Sequence, residues 1–323
     1  MPQNSDSKKT GNILISSISR KTPMIEAVKK AAKAYDLAML VYGADATDEV
    51  IGKYFVHKFW HMPRIDKLNT EEIITYCQTE HIQIIIPSRD GELAFWATQK
   101  KVLAEHGIVV SVNSLSAIQK CLDKLTFYQE LAKLNLPVIQ TSENIASLAG
   151  VSKFVVKERF GAGSENIGIN LTKEQAEVHQ SKLKVPVYQP YIKGTEYSLD
   201  LYITSKKVVK GVIARVRRLV INGESQITES VTHPKLEKLG AEIALALDLQ
   251  GHVVLQILES ENGQFHVIEC NCRFGGASTL SLQCGLNSFY WAILEANGED
   301  LDAYPFVRTE NKKQIRYAQD LIL

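Results

Sequence analysis

The sequence predicts an α/β unit followed by an α+β unit, and three observations predict it. In roughly the first third, short apolar runs alternate with helix-length segments, the rhythm of a parallel, doubly wound sheet. Further on, strand-like runs follow one another with turn residues between them, which is the rhythm of antiparallel pairing. Within that second part, Asn262-Gly263 separates two apolar runs. This is a strong short hairpin signal, because a type I′ turn needs positive φ at both central residues.

Each element has a local reason. Residues 12–17 form a short apolar strand, and Thr22-Pro23 opens a helix where threonine can cap and proline fits the first turn. Residues 37–42 read as a second strand and 69–81 as a helix opened by a polar cap. Residues 82–87 are a strand of the buried type, 92–105 a helix and 108–112 another strand, so the parallel sheet ends near Ser114. Residues 114–134 are mostly helical, a connector that carries Asp123-Lys124. Residues 153–159 and 167–171 are strands around a glycine-rich loop, and Thr172 with Gln175 makes a capping box for the next helix. Residues 187–191, 196–204 and 208–217 join the hairpin in one antiparallel sheet, with helices over 236–247 and 278–296. The boundaries expected are a loose tail at 1–10, a first domain at 11–114, a connector and lid at 115–192, and a C-terminal part at 193–323.

Composition excludes several classes. With 323 residues, 45% hydrophobic and 23% charged, the chain reads as an ordinary soluble globular protein of two or three packed units. A net charge of +1 gives no electrostatic case for nucleic acid or an anionic membrane. There is no apolar run long enough for a transmembrane helix and no signal-peptide region, so the cytoplasm is the expected location. The five cysteines are scattered and read as reduced, packed thiols, neither zinc ligands nor bridges.

The chemistry is concentrated in the hairpin. If Asn262 and Gly263 are the loop, counting outward puts Gln256 opposite Glu269, with Cβ atoms about 4.5–5.5 Å apart. Side chains alternate along a strand, so Glu269, Asn271 and Arg273 share a face with Gln256. Oxygen donors of this kind suit Mg²⁺, which keeps waters and shares itself with substrate phosphates. Cys270 and Cys272 then point away from that face.

Other segments add to this. The loop from Gly161 through Gly163 and Ser164 to Gly168 follows Lys157; glycines leave backbone N–H groups able to surround a phosphate. It is neither a Walker motif nor a dinucleotide fingerprint. Lys157 lies on a valine-rich strand, where an ammonium needs an anion or solvent. Gln189, Tyr191 and Ile192 precede a strand on which Glu196, Ser198 and Asp200 share a face. A carboxylate there can accept both hydroxyls of a ribose, and Glu196 reads equally as a solvated strand residue. Gly275-Gly276-Ala277-Ser278 opens a helix whose N–H groups favour an anion. Arg215 and Arg217 share a strand face as further contacts for substrate or γ-phosphate, whereas Arg218 reads as solvated. Asp90 is read as a helix cap, with binding of an amine as the sharper alternative for Asp90 and Glu92.

Asp123-Lys124, Lys157 with its glycine loop, residues 189–192, Glu196, Gln256 and Glu269-x-Asn271-x-Arg273 fall in the order found in the ATP-grasp enzymes. The chain resembles that superfamily over nearly its whole length, most of all one synthetase half of the carbamoyl-phosphate synthetase large subunit. The resemblance implies a Rossmann-like pre-ATP-grasp domain followed by an ATP-grasp fold of two α+β subdomains. It implies that Lys124 and Lys157 contact ATP phosphates beneath the loop that includes Gly161, Gly163 and Ser164. It places Gln189, Tyr191 and Ile192 at the adenine and Glu196 at the ribose. Gln256, Glu269 and Asn271 then match the ligands of Mg²⁺, with Mn²⁺ as the alternative ion, and Arg273 the residue that stabilises the transferring phosphoryl group. The sequence departs at Glu158, where many relatives place proline, and at Gly275-Gly276.

The function implied is an ATP-dependent ligase joining a small-molecule carboxylate to an amine or thiol through an acyl phosphate. Catalysis would be carried by Lys157, Arg273 and Arg215, and a homodimer fits the superfamily's habit. The alternatives are carbamoyl-phosphate-type synthesis and a nucleotide-binding regulatory protein that keeps the fold. A dinucleotide oxidoreductase is disfavoured, because no glycine fingerprint follows the first strand.

Overall fold

The computed structural model describes residues 11–161, 166–221 and 223–323. The tail expected at 1–10 lies outside them, as do Gly163 and Ser164 of the glycine loop. The chain divides into two units, Met1–Val112 with Asn287–Tyr304, and Asn113–Leu286 with Pro305–Leu323. Residues 287–304 therefore pack with the N-terminal unit rather than with the rest of 193–323.

The first unit is a parallel sheet of β1 (Asn12–Ser16), β2 (Val41–Asp45), β3 (Lys58–His61), β4 (Ile82–Pro87) and β5 (Val109–Val110), in the order β3-β2-β1-β4-β5. Helices α1 (Thr22–Tyr35), α2 (Thr70–Thr79) and α3 (Asp90–Glu105) connect the strands, and the helix Ser288–Ala296 returns to pack on α1. The apolar strands are buried through most of their length, as a parallel sheet covered on its faces requires. Sequence reading missed β3, whose residues show no apolar alternation; Trp60 in it stacks on Tyr76 with ring centroids 4.0 Å apart. It also placed the second strand too early, because Leu37 is apolar yet 87% exposed.

At the carboxyl end of β4, Glu92 is fully buried and saturated. Its carboxylate accepts from the N–H of Ser88 (2.8 Å) and of Arg89 (3.0 Å), from Ser17 Oγ (2.9 Å) and from Trp96 Nε1 (3.2 Å). The capping expected of Asp90 is therefore done by Glu92 reaching back over the helix start. Arg89 holds the cap position and Asp90 is the first helical residue.

The second unit opens with α4 (Leu115–Leu122) and α5 (Lys124–Lys133), separated at Asp123. A small antiparallel sheet of order β7-β6-β8 follows, made of β6 (Phe154–Glu158), β7 (Gly168–Leu171) and β8 (Pro186–Pro190), with α6 (Lys173–His179) packed on it. Thr172 and Gln175 form the expected capping box of α6. A six-stranded antiparallel sheet contains β9 (Gly194–Ile203), β10 (Val209–Ile221), β11 (Glu224–Val231), β12 (Gly251–Ser260), β13 (Phe265–Asn271) and β14 (Lys313–Ile315). Its order is β13-β12-β9-β10-β11-β14, and α7 (Pro234–Ala246) packs against β9 and β10.

Three expectations are corrected here. Residues 187–190 of the strand expected over 187–191 pair with β6 rather than joining the larger sheet. Strands β11 and β14 were not foreseen, since ESQITESV is too polar to read as a strand that is half buried. The helix expected over 278–296 is two pieces, α8 (Thr279–Gln283) and Ser288–Ala296. Between them Gly285 turns with φ +98°, and a Cβ there would lie 2.1 Å from the carbonyl oxygen of Val307.

Candidate functional site

The site is built on one face of the larger sheet. Gln256 lies opposite Glu269 of β13 and, on its other side, opposite Ser198 of β9. Directly opposed residues point the same way, so Glu196, Ser198, Asp200, Gln256, Glu269 and Asn271 share this face. On the other face Leu199, Leu201 and Leu255 meet α7 at Gly240, whose missing side chain gives them room. Apolar packing on one side of the sheet thus fixes which residues face the other.

The hairpin reaches this pairing by an unexpected route. Ser260 N–H donates to Gln264 O (2.9 Å), and only Gly263 of the Asn-Gly pair has positive φ (+78°). The loop is one residue longer than a type I′ turn, and Glu259 pairs with Phe265. A bulge between the Ile257–Val267 and Gln256–Glu269 pairs then absorbs one extra residue. The two offsets cancel, so Gln256 and Glu269 meet as counting predicted.

The polar side chains on this face fall into two hydrogen-bonded groups. Asn271 Nδ2 donates to Glu269 Oε1 (3.3 Å), and Arg273 Nη2 lies 3.5 Å from Asn271 Oδ1. Arg217 pairs with Glu196, lies 3.4 Å from Gln256 Oε1, and is held by Gly223 O (2.7 Å) and Ser225 Oγ (3.0 Å). Arg217 thus joins the carboxylate expected at a ribose to the amide expected at a metal, a link that a linear sequence does not display. Arg218 is exposed and pairs with Glu229, as its solvated reading anticipated.

Lys157 supplies the opposing charge. It is 7% exposed and makes no hydrogen bond among the described residues. Burial pushes its ammonium down to about 8, with Glu269 and Glu196 acting upward and Lys124 downward, so these four charges are electrostatic neighbours. Lys124 Nζ donates to Gly161 O at 3.0 Å. The two lysines are brought together by Asp123, which caps α5 at Leu125 and Thr126 and grips Arg159 with both oxygens (2.7 and 2.6 Å). Arg159 directly follows β6, and its carbonyl accepts from Lys124 N–H (3.2 Å). Burial alone would raise the Asp123 carboxyl, but the Arg159 fork and the helix-start donors hold it at about 2. Arg159 went unnoticed in the sequence because its partner lies 36 positions away.

Gln189 is buried, its Nε2 donating to Thr141 Oγ1 (2.8 Å). Its side chain is thus turned into the packing, leaving the backbone beyond it as the exposed edge. Tyr191 and Ile192 lie outside any strand, between β8 and β9, and Tyr191 N–H donates to Lys153 O (2.8 Å).

Arg215 is 2% exposed and paired with Asp200, while its Nη1 makes no hydrogen bond among the described residues. Asp200 also receives Ser278 Oγ and faces His252 Nε2 at 3.2 Å. Burial would raise this carboxyl, yet Arg215 and His252 hold it far below the usual range. Ser278 Oγ in turn accepts from Gly275 N–H (3.0 Å). The anion site expected at this helix start is therefore corrected: α8 has five residues and the Gly275 N–H is already used. The glycines are there for close approach. A Cβ on Gly276 would sit 2.7 Å from Arg316 Nη2, so Arg316 lies over this turn, another residue that sequence spacing hides.

Residues 121–277 match the family described as ATP-grasp domain, and residues 13–111 that described as PylC-like, N-terminal domain. Residues 121–277 are an ATP-grasp domain. Solved structures agree on the fold. The biotin carboxylase domain dimer of a 2-oxoglutarate carboxylase from Hydrogenobacter thermophilus, in complex with MgADP, ADP and bicarbonate, has a TM-score of 0.74 at 16% identity, covering 94% of this chain and 74% of that one. N5-carboxyaminoimidazole synthetase from Staphylococcus aureus, complexed with ADP, has a TM-score of 0.70 at 17% identity, covering 90% and 78%. L-amino acid ligase from Bacillus licheniformis has a TM-score of 0.69 at 17% identity, covering 95% and 80%.

The residues of this ATP-grasp domain fit a magnesium nucleotide on their own chemistry. Gln256, Glu269 and Asn271 present oxygens from partly exposed positions, so an ion can keep waters and share phosphate oxygens. A buried lysine with no hydrogen-bond partner among the described residues, beside a second lysine, suits an anion at the same place.

Proposed function

We propose that this chain catalyses ATP-dependent ligation of a carboxylate to an amine or thiol through an acyl phosphate, with Mg²⁺, or Mn²⁺ in its place, held by Gln256, Glu269 and Asn271. The observation that carries this reading is the single sheet face on which those oxygens lie beside the buried Lys157 ammonium. The ATP-grasp domain at residues 121–277 supports this reading.

Bound Mg²⁺ supplies charge neutralisation for the phosphates. The protein's part is positioning and electrostatics. Lys157 and Lys124 hold phosphate oxygens, and the Asp123–Arg159 fork keeps the two lysines in place. The backbone at Tyr191 and Ile192 lines the adenine, and Glu196, oriented by Arg217, meets the ribose. Arg273 faces the moving phosphoryl group, and Arg215 Nη1, a buried donor with no hydrogen bond among the described residues, is available to a phosphoryl or carboxylate oxygen. A nucleophile then displaces phosphate from the activated carboxyl.

Glutamine at 256, where many relatives have an acid, supports the finer likeness to a synthetase half of carbamoyl-phosphate synthetase. Five free cysteines and reliance on Mg-ATP fit the cytoplasm, and no helix among the described residues is long and apolar enough to cross a membrane. A homodimer is our reading of the assembly, by analogy with the dimer named for the Hydrogenobacter domain. The test is ADP release across amino acids and small carboxylic acids, with and without amines, and mass detection of products. ADP that depends on both partners, with a product one water lighter than their sum, is the expected result. ADP release indifferent to any acceptor, or none with any carboxylate, would overturn the ligase reading.

A further inference from the structure

Cys121, Cys270 and Cys272 are far apart in sequence and are brought together where α4 packs on β13. Their three sulfurs all lie within 4.8 Å of one another, and the residues are only 6%, 4% and 6% exposed. Strand alternation sets Cys270 on the face away from Glu269 and Asn271, so this cluster is separate from the oxygen-lined site. Apart from these thiols, no histidine, cysteine or acid joins the group among the described residues.

We infer that these three thiols form a site for one soft, thiophilic d10 cation of the Cu(I)–Zn(II)–Cd(II) class. An all-sulfur donor set selects such ions over Mg²⁺. Metal–sulfur bonds of about 2.3 Å in a trigonal arrangement hold sulfurs roughly 4.0 Å apart, so sulfurs that lie within 4.8 Å need only small adjustments. A disulfide would need two of them at about 2.05 Å and would strand the third. On loading, each metal–sulfur bond replaces an S–H bond, the protons leave to solvent, and no electron is transferred. Cys121 is in the last turn of α4, where unpaired helix carbonyls favour a cation. The bound ion ties α4, and with it Asp123-Lys124 one turn on, to the strand that carries Glu269 and Asn271.

The full chain, kept reduced and anaerobic, is titrated with Cu(I) held by a coloured chelator and separately with Cd(II), reading sulfur-to-cadmium charge-transfer absorption. One equivalent of either ion is expected to bind, with affinity falling by roughly tenfold or more in Cys121→Ser and unchanged in Cys77→Ala. X-ray absorption on the loaded wild type keeps the test independent of variant folding, and a sulfur-only first shell is expected. Failure to withdraw either ion, a nitrogen or oxygen shell, or equal losses in Cys121→Ser and Cys77→Ala would overturn the site.

Discussion

Lys157 concentrates the chemistry in one residue. Its ordinary value is 10.5, and burial lowers it to about 8 despite Glu269 nearby. Because the folded form holds its proton less tightly, this group costs stability below about pH 8, and that cost is relieved as pH rises towards 10.5. Nucleotide binding runs the other way, since only the ammonium attracts phosphate. Affinity of the free protein for ATP is therefore expected to fall as pH rises through about 8, and calorimetry at neutral and alkaline pH checks it. Lys157→Met is expected to remove a contact of about 1.5–3 kcal/mol, or roughly ten- to hundredfold in Kd, while melting no lower than the wild type. Unchanged ATP affinity in that variant would assign the ammonium another partner.

Elements set the geometry around that residue. Asp123 ends α4, caps α5 and clamps Arg159 after β6, so one carboxylate fixes Lys124 relative to Lys157. Its depressed value of about 2 means it contributes stability above the ordinary carboxylate range and loses it as pH falls from 3.8 towards 2. Asp123→Asn is expected to cost about 1–3 kcal/mol at neutral pH and to raise KM for ATP more than it lowers kcat. Thermal melts should show the gap between variant and wild type closing in acid; a gap independent of pH would contradict the role given to the charge. The same scale shows what a sequence displays and what it hides. Capping boxes and apolar runs are local, so Thr172, Asn69 and the buried strands could be read directly. The bulge that restores the Gln256–Glu269 pair, the Arg159 clamp, Arg217 on Glu196 and the thiol cluster depend on residues distant in sequence, and no local pattern announces them.

Across the whole molecule, the doubly wound sheet and the antiparallel character of the second unit were legible because their rhythms differ, whereas the division of that unit into two sheets was not, because the partner of residues 186–190 is set by β6 and by no local pattern. The return of residues 287–304 to the first unit was not, because a helix's apolar face does not say which layer it will cover. The central claim is that one face of the larger sheet, with Lys157, holds Mg-ATP. It is tested most directly by calorimetric titration of ATP into the full chain, with magnesium and with chelator, in the wild type and in Glu269→Ala. Binding that needs magnesium in the wild type and loses that dependence in the folded variant is the expected result. Equal magnesium-dependent affinity in both proteins, or no nucleotide binding by the wild type, would contradict the account.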